Sequence, residues 1–305
     1  MSAVRVLLEY LHPWPNDAGF QMALASGHYR DAGLDVELAV ADPLRGDPLA
    51  HLARDEADFV VCPPNRLFVR REQGQRLTGI AAINHRAMET VQTVTDRGIT
   101  RPGELEGRRV AYNPTPRGVA MVRHLVLSDG GDPDSLITVD SGVRELSVDD
   151  IAAGEADATF GGYWAWDALF GSLSPERRVV WPVDEISGLR YHSYLLATRE
   201  STLEERPELV RGFLEATGAG YLAASSDHDA TLRLLERVIP YFPREVLRRS
   251  LELIAPTWTH QGRWGEQRRE LLADYALWLT DNRITASPDV WREAISNEFL
   301  GGLGA

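Results

Sequence analysis

The feature that most constrains the fold is an alternation of strand and helix patterns that occurs twice in succession. The first series runs to about residue 95, and a second series of the same kind begins near residue 96. From about residue 200 onward the chain has the apolar spacing of amphipathic helices only. Strands that alternate with helices form largely parallel sheets covered by those helices. The sequence therefore predicts two α/β units, with the helical tail packed back on the first sheet.

The charge and the cysteine content limit the binding partners and the types of site that this chain can have. The 305 residues include 32 Lys and Arg against 45 Asp and Glu, a formal net charge of −13. Such a field repels phosphate backbones and anionic lipid, so nucleic acid and membrane surfaces are disfavoured as partners and a small molecule is favoured. The single cysteine, Cys62, excludes an intramolecular disulfide and a zinc site built from cysteines.

The start of the chain lacks the pattern of an export signal. Arg5 is followed by only three apolar residues before Glu9, whereas a signal peptide needs about 7 to 15. No window approaches the roughly 20 apolar residues of a membrane span, so no membrane insertion is expected. As written, the protein is expected in the cytoplasm; if a leader has been removed, it is expected outside the membrane.

Polar and aromatic side chains follow several predicted strands directly. In open α/β sheets ligands bind beyond the carboxyl ends of the strands, so a cleft between the two units is expected there. The segments concerned are "LHPWPND", "CPPN", "INHR", "YNPTPRG" and "FGGYWAWDALF". The candidate ligand contacts that they supply are Trp14, Asn16, Asn65, His85, Asn113, Thr115, Tyr163 and Trp164.

The aromatic stretch at residues 160–170 has two interpretations. If it is helical, Tyr163, Trp166 and Phe170 share one face, a spacing typical of core. Tyr163 and Trp164 lie nearest the strand end and are the candidates for a wall on which a flat molecule stacks, worth roughly 1 to 3 kcal/mol. Trp166 and Phe170 are expected in the core.

The other candidates also keep a structural alternative. Trp14 either lines the site or plugs the end of the sheet, and Asn16 and Asp17 either bind ligand or cap the next helix. Thr115 precedes Pro116 at a helix start, where free N–H groups favour a carboxylate, sulfonate, phosphate or polar oxygen. Plain capping by Thr115 is the alternative.

Catalytic and cofactor motifs are sparse. Cys62 with His85 as its base would make a nucleophile, but a cysteine that ends an apolar strand is typically a small buried hydrophobe. The histidines show no helix-spaced pair, and there is no glycine-rich phosphate loop and no "GxSxG". No metal and no cofactor are therefore expected.

Five segments in a fixed order carry a family resemblance: "WPNDAGFQMALASGHYRDAGLDVEL", "RPGELEGRRVAYN", "LSDGGDPDSLITV", "FGGYW" and "LWLTDNRI". The chain resembles the type II solute-binding proteins of ABC importers, in the branch with thiamine-pyrimidine binding proteins and the yeast-type pyrimidine synthase. The resemblance implies a two-lobed type II periplasmic-binding-protein fold with two mostly parallel sheets. Lobe I would be residues 1–95 plus 191–305, lobe II residues 96–190, with a hinge near 93–97 and 189–194.

The resemblance also implies a function. The lobes would close on a planar heterocycle held by Trp14 and Asn16 from one lobe, Tyr163 and Trp164 from the other, and Tyr191 in the hinge. An ABC permease would be the protein partner, and paired lobes need no partner subunit, so a monomer is expected.

Two departures from the family pattern affect specificity. Ser193 aligns where the pyrimidine binders carry a glutamate on the hinge strand, so the hydrogen bonds to the ring would differ. The yeast-type synthase has a histidine beyond the third strand and a cysteine-rich loop, whereas this chain has "PPN" there and one cysteine. The synthase chemistry is therefore not expected.

An enzyme is the alternative function. Leaderless proteins of similar fold resemble cytoplasmic decarboxylases, dehydratases and a sulfinate-cleaving enzyme, which act on small aromatic or heterocyclic acids without a cofactor. In such an enzyme isolated polar groups transfer protons in a water-excluding cleft. The catalytic candidates under this interpretation are His85, His12, Cys62, Arg117 and His192.

Overall fold

The chain divides into two compact units. A computed structural model describes residues 2–142 and 144–301. Unit 1 comprises Met1–Arg86 and Tyr191–Ala305, and unit 2 comprises Ala87–Arg190.

The strands form one main sheet in each unit and a short hairpin near the C-terminus. In chain order they are β1 (Ser2–Leu8), β2 (Leu34–Val40), β3 (Phe59–Cys62), β4 (Leu77–Ala82), β5 (Glu89–Val94), β6 (Arg109–Tyr112), β7 (Ile137–Asp140), β8 (Ala158–Tyr163), β9 (Arg178–Pro182), β10 (Leu195–Arg199), β11 (Thr259–His260) and β12 (Arg263–Trp264).

The helices lie between the strands and dominate the C-terminal part. In chain order they are α1 (Ala18–Ala25), α2 (His28–Asp31), α3 (Pro48–Ala53), α4 (Pro64–Glu72), α5 (Pro116–Ser128), α6 (Val148–Ala153), α7 (Val183–Ile186), α8 (Glu200–Glu205), α9 (Pro207–Ser226), α10 (His228–Val238), α11 (Arg244–Ile254), α12 (Arg269–Asp281) and α13 (Val290–Ala294).

The sheet of unit 1 has the strand order β2-β1-β3-β10-β4. β1 pairs in parallel with β2 and β3, and β10 runs antiparallel to both β3 and β4. β3 and β4 are buried along their whole length, as expected for strands covered on both faces. The carboxyl ends of β1, β3 and β4 and the start of β10 therefore meet at one edge of this sheet.

The sheet of unit 2 has the strand order β7-β6-β8-β5-β9. β6 is parallel to β7 and β8, and β5 is antiparallel to β8 and β9. Glu89 at the start of β5 pairs with Tyr163 at the end of β8, so both lie at the carboxyl edge. In each main sheet of the described residues one strand opposes the rest, which confirms two mostly parallel sheets flanked by helices.

Three details of the sequence prediction need correction. The segment at residues 89–94 was assigned to the first unit, but β5 hydrogen-bonds to β8 and β9 in unit 2, so that unit begins at Ala87 instead of residue 96. The aromatic stretch is not a helix: β8 extends to Tyr163, and a short 3-10 turn follows at Asp167–Leu169. The tail is not purely helical, because β11 and β12 pair there.

The helical tail packs on unit 1, as expected, and two glycines permit its closest contact. A Cβ on Gly220 of α9 would lie 2.1 Å from the carbonyl oxygen of Gly19 in α1. A Cβ on Gly19 would in turn lie 2.1 Å from the ring of Tyr221. The backbones of α1 and α9 can approach this closely only because neither position carries a side chain.

Candidate functional site

A buried amide network lies at the carboxyl edge of the unit 1 sheet. The side chain of Asn84, just after β4, donates to Oδ1 of Asn16 at 2.8 Å and to Oγ1 of Thr257 at 2.8 Å. Asn16 donates back to Oδ1 of Asn84 at 3.2 Å and accepts from the indole N–H of Trp258 at 3.0 Å. Its backbone carbonyl accepts from the hydroxyl of Tyr221 at 2.9 Å. Asn16 therefore joins two loops and the C-terminal segment.

His192 extends this network and has a fixed tautomer. Its Nε2 accepts from the backbone N–H of Arg268 at 3.0 Å, so its Nδ1 carries the proton donated to the carbonyl of Asn84 at 2.8 Å. The residue is fully buried, and burial lowers the pKa of His192 to about 4. His192 is therefore a neutral positioning group with both ring nitrogens engaged.

His85 differs because its ring nitrogens have no hydrogen-bond partner among the residues that the structure describes. Both are buried, and the ring lies 5.2 Å from that of His192 and 5.8 Å from that of His260. Burial, followed by the charges of His192, His260 and Arg268, lowers the pKa of His85 to about 3. A neutral imidazole with one donor and one acceptor unused is suited to a polar, uncharged group of a ligand.

Trp14 and Tyr191 are packed within unit 1 and do not form an open wall. Trp14 is 2% exposed, and its ring contacts those of Tyr10, with centroids 5.3 Å apart, and Tyr194 at 6.4 Å. Tyr191 stacks on Tyr275 at 4.4 Å with an interplanar angle of 13°. Trp14 thus agrees with the plug alternative, and Tyr191 lies in an aromatic stack because α12 passes beside it.

The remaining candidates of unit 1 lie in different environments. Cys62 is fully buried, and burial raises the pKa of its thiol well above the usual range, which corrects the idea of a nucleophile. His12 is half-buried, with Nδ1 2.7 Å from the carbonyl of Pro13 and its ring beside Tyr10. Ser193 is buried, and Asn65 is half-buried on α4.

The aromatic residues of unit 2 separate into buried and partly exposed groups. Trp166 is fully buried and meets Phe170 edge-on at 5.0 Å, which agrees with their expected packing role. Trp164 is 8% exposed, and its indole N–H donates to the carbonyl of Ala87 at 2.8 Å. Its ring is therefore part of the packed interior and not the exposed surface that was expected, because that hydrogen bond turns it inward. Tyr163 is half-exposed at the end of β8 and remains the candidate for stacking.

The start of α5 follows the capping alternative. Thr115 is the N-cap residue, and its hydroxyl accepts from the backbone N–H of Gly118 at 3.1 Å. Asn113 is exposed, and its carbonyl accepts from the N–H of Thr115 at 2.8 Å. Arg117 pairs with both carboxyl oxygens of Glu89, one of these contacts measuring 2.8 Å. The guanidinium is thus already neutralised by Glu89.

Sequence reasoning missed a polar group of unit 2 made of Glu89, Gln92, Glu145 and Asp167. Glu145 follows β7, Asp167 follows β8, and Glu89 and Gln92 belong to β5. The separations along the chain match no motif, so only strand order could have predicted their meeting. Neither this group nor any other cluster of His, Cys, Asp or Glu in the described part of the chain could hold a metal ion. No described helix is long and apolar enough to cross a membrane.

Two α/β units with these sheets define the fold class of the periplasmic binding proteins, and the comparisons with known proteins agree. The periplasmic aliphatic sulphonate binding protein SsuA from Escherichia coli matches with a TM-score of 0.73 at 14% identity, over 97% of this chain and 92% of that one. The desulfurization enzyme DSZB matches with a TM-score of 0.67 at 14% identity, over 98% of each chain. These likenesses show the fold alone.

Sequence comparison identifies the family. The family model described as NMT1/THI5 like matches residues 14–230, and the chain belongs to this family. The formylaminopyrimidine-binding protein of Halalkalibacterium halodurans is 23% identical over 306 aligned residues, which cover 97% of this chain and 90% of that protein.

Proposed function

We propose that this protein is the substrate-binding receptor of an ABC importer and that its ligand is a planar heterocycle of the thiamine-pyrimidine-precursor type. Membership of the NMT1/THI5-like family and the nearly complete alignment with a formylaminopyrimidine-binding protein support this proposal. The importer's permease would be its protein partner.

The observation that carries the proposal is the unused hydrogen-bonding capacity of His85. Buried polar groups in folded proteins are nearly always paired, so two buried, unpartnered ring nitrogens favour a bound molecule that pairs with them. A neutral imidazole offers one N–H donor and one acceptor. An amino-substituted heterocycle has both complementary groups, a ring nitrogen and an amino N–H.

The enzyme alternative has less support. The thiol of Cys62 is buried and protonated, His192 has both ring nitrogens engaged, and Arg117 is paired with Glu89. Of the five catalytic candidates, Cys62 is thus buried, and His192 and Arg117 are engaged in structural contacts. The likeness to DSZB, at 14% identity, concerns the fold and says nothing about chemistry.

The test is isothermal titration calorimetry with formylaminopyrimidine, its deformylated amine, an alkanesulfonate and an aromatic sulfinate. We expect the pyrimidines to bind and mass spectrometry to recover them unchanged after incubation. His85→Ala should weaken binding at least tenfold, whereas His228→Gln, at an exposed position on α10, should leave it unaltered. Consumption of a ligand would overturn the receptor assignment.

The permease partnership has its own test. The liganded protein should stimulate ATP hydrolysis by an importer of the same organism reconstituted in vesicles, and the ligand-free protein should do so less. Equal or absent stimulation for every importer encoded near the gene would contradict a role in transport while leaving the ligand assignment intact.

A further inference from the structure

The β11–β12 hairpin is attached at both ends to the segment of unit 1 that carries His85. The backbone N–H of His85 donates to the carbonyl of Thr257 at 2.7 Å, just before β11. The N–H of Ala82, at the end of β4, donates to the carbonyl of Gly265 at 2.7 Å, just after β12. Residues 261–262, which join the two strands, have φ angles of 52° and 76°, as a two-residue type I′ turn requires. The position of the hairpin beside His85 is therefore fixed by the backbone.

His260, the last residue of β11, brings a second imidazole to His85. The two ring centres are 5.8 Å apart, and the ring planes are inclined by 31°. His260 is partly buried, and no hydrogen bond joins either of its ring nitrogens to another of the residues that the structure describes. The hairpin lies outside residues 14–230, which the family model matches, so the family pattern does not supply this histidine.

His192, the third ring of this group, shows that crowding alone does not leave ring nitrogens unused. Its ring centre lies 5.2 Å from that of His85, yet its nitrogens are hydrogen-bonded to the carbonyl of Asn84 and the N–H of Arg268. Both nitrogens of His85 are buried and unpaired within the described part of the chain, a state that is seldom left uncompensated in proteins. Two neighbouring imidazoles with unused donors and acceptors, His85 and His260, therefore indicate a polar ligand that contacts both.

The surroundings of His85 favour an uncharged ligand group. Burial, followed by the charges of His192, His260 and Arg268, lowers the pKa of His85 to about 3. Arg268 is itself paired with the exposed Glu270 at 2.7 Å, so burial is the main effect, and burial disfavours a charge of either sign. A neutral imidazole offers one N–H donor and one acceptor. An amide group offers the same two functions without a charge, whereas an ammonium group is charged and has only donors.

We propose that His260 is a second ligand contact of the receptor and that it selects an N-acylamino substituent on the heterocycle over a free ammonium group. The inference rests on the proposed function, to which it adds a residue that determines specificity. His85 pairs with the edge of the heterocycle, and His260 pairs with the N–H or the carbonyl of the substituent. The 5.8 Å between the two ring centres is within the span of a six-membered ring that carries a one-carbon side chain.

Three pyrimidines that differ in one substituent test this assignment by calorimetry with the whole protein. They are formylaminopyrimidine, its deformylated amine, and 4-amino-2,5-dimethylpyrimidine, which lacks the polar substituent. We expect the parent protein to bind the formyl compound at least tenfold more tightly than the amine. His260→Ala should weaken the formyl compound about tenfold and the other two less than twofold, so the preference disappears.

Two further variants separate ligand contact from a structural role. His260→Gln keeps a donor and an acceptor and should retain part of the preference for the formyl compound. His228→Gln, the same substitution at an exposed position on α10, should alter none of the three affinities. The thermal unfolding midpoint of His260→Ala should match that of the parent protein. An equal loss for all three pyrimidines in this variant would show that His260 only packs beside His85 and would refute the selective contact.

The remaining outcomes distinguish this inference from the proposed function. If the pyrimidines bind and His85→Ala weakens them, but His260→Ala leaves the formyl compound unchanged, the receptor assignment stands and the role of His260 is refuted. A parent protein that binds the amine as tightly as the formyl compound also refutes the selection while leaving the receptor intact. If none of the three pyrimidines binds, both the pyrimidine ligand and the role of His260 are refuted.

Discussion

Asn16 and Asn84 exchange side-chain amide hydrogen bonds in both directions, at 2.8 and 3.2 Å, across 68 positions of sequence. Asn16 precedes α1 and Asn84 follows β4, so the pair ties together two loops at the edge of the unit 1 sheet. Because the carbonyl of Asn84 also accepts from His192, this pair positions the segment that carries His85. The position of His85, the candidate ligand contact, therefore depends on two buried asparagines.

Replacement of Asn84 tests this dependence. Asn84→Asp keeps the shape but removes the donors to Asn16 and Thr257 and buries a charge. We expect the free energy of unfolding to fall by about 2 to 4 kcal/mol, since a broken buried network leaves polar groups unpaired. Urea denaturation measures the change, and Asn113→Asp, at an exposed position, is the control. Equal stability of the two variants would mean that water replaces the lost bonds.

The contact between α1 and α9 makes a second prediction. Gly220→Ala places a methyl group 2.1 Å from the carbonyl oxygen of Gly19 and 2.7 Å from Cβ of Ala23, so the helices must separate. We expect a loss of about 1 to 3 kcal/mol, the usual cost of overpacking. Gly212→Ala, on the same helix, meets only Ala32 Cβ at 3.8 Å and should be neutral or stabilising by up to about 1 kcal/mol. Thermal or urea unfolding of both variants gives the comparison, and similar values would refute close packing as the cause.

The sequence predicted the architecture well because the spacing of apolar residues distinguishes strands from helices. The alternation of strand and helix patterns predicted two α/β units, and the helical tail was predicted to pack on the first sheet. The membership of β5 could not be predicted, since Glu89–Val94 has the same pattern whichever sheet receives it. Strand pairing depends on which partner edge is available, and that information lies outside the segment.

The site was predicted less completely, and the reason is side-chain direction. The sequence shows that aromatic and polar residues follow the strands. It cannot show that the indole of Trp164 turns inward and donates to the carbonyl of Ala87, or that Trp14 packs against Tyr10. His85 was identified from its loop, whereas its unpaired nitrogens are visible only in three dimensions. Gln92 and Glu145 were missed because a strand glutamine and a loop glutamate are ordinary in sequence.

The buried carboxyl of Asp17 gives a pH-dependent prediction. It accepts from the N–H of Trp14 at 3.0 Å, and burial raises the pKa of Asp17 to about 7. In the unfolded chain this carboxyl ionises near pH 4, so the stability it provides is full below that pH and is lost as pH rises towards 7. Asp17→Asn should remove this loss. The free energy of unfolding of the variant, relative to that of the parent protein, should therefore rise by about 3 kcal/mol from pH 5 to pH 8. Urea denaturation at both pH values measures this change, and Asp31→Asn, at an exposed position, is the control. If the variant and the parent differ in free energy of unfolding by the same amount at both pH values, the raised pKa of Asp17 is refuted.

The stacking role is best tested at Tyr163. Trp164 is an unsuitable test position because it is buried and hydrogen-bonded to Ala87. Its replacement would disturb the structure at the end of β8, so a loss of affinity could not be assigned to stacking. Tyr163 is half-exposed at the end of β8, and its backbone N–H donates to Asp167 at 2.9 Å, a hydrogen bond that does not involve the side chain. Tyr163→Ala should weaken a planar ligand by about 1 to 3 kcal/mol, whereas Tyr163→Phe should retain most of the affinity because stacking needs the ring and not the hydroxyl. Tyr241→Ala, which removes a ring that is 61% exposed in unit 1, is the control, and calorimetry with the ligand found in the screen gives the affinities. An equal loss in the Ala and Phe variants would assign the contribution to the hydroxyl, and no loss in either would mean that the ligand stacks elsewhere.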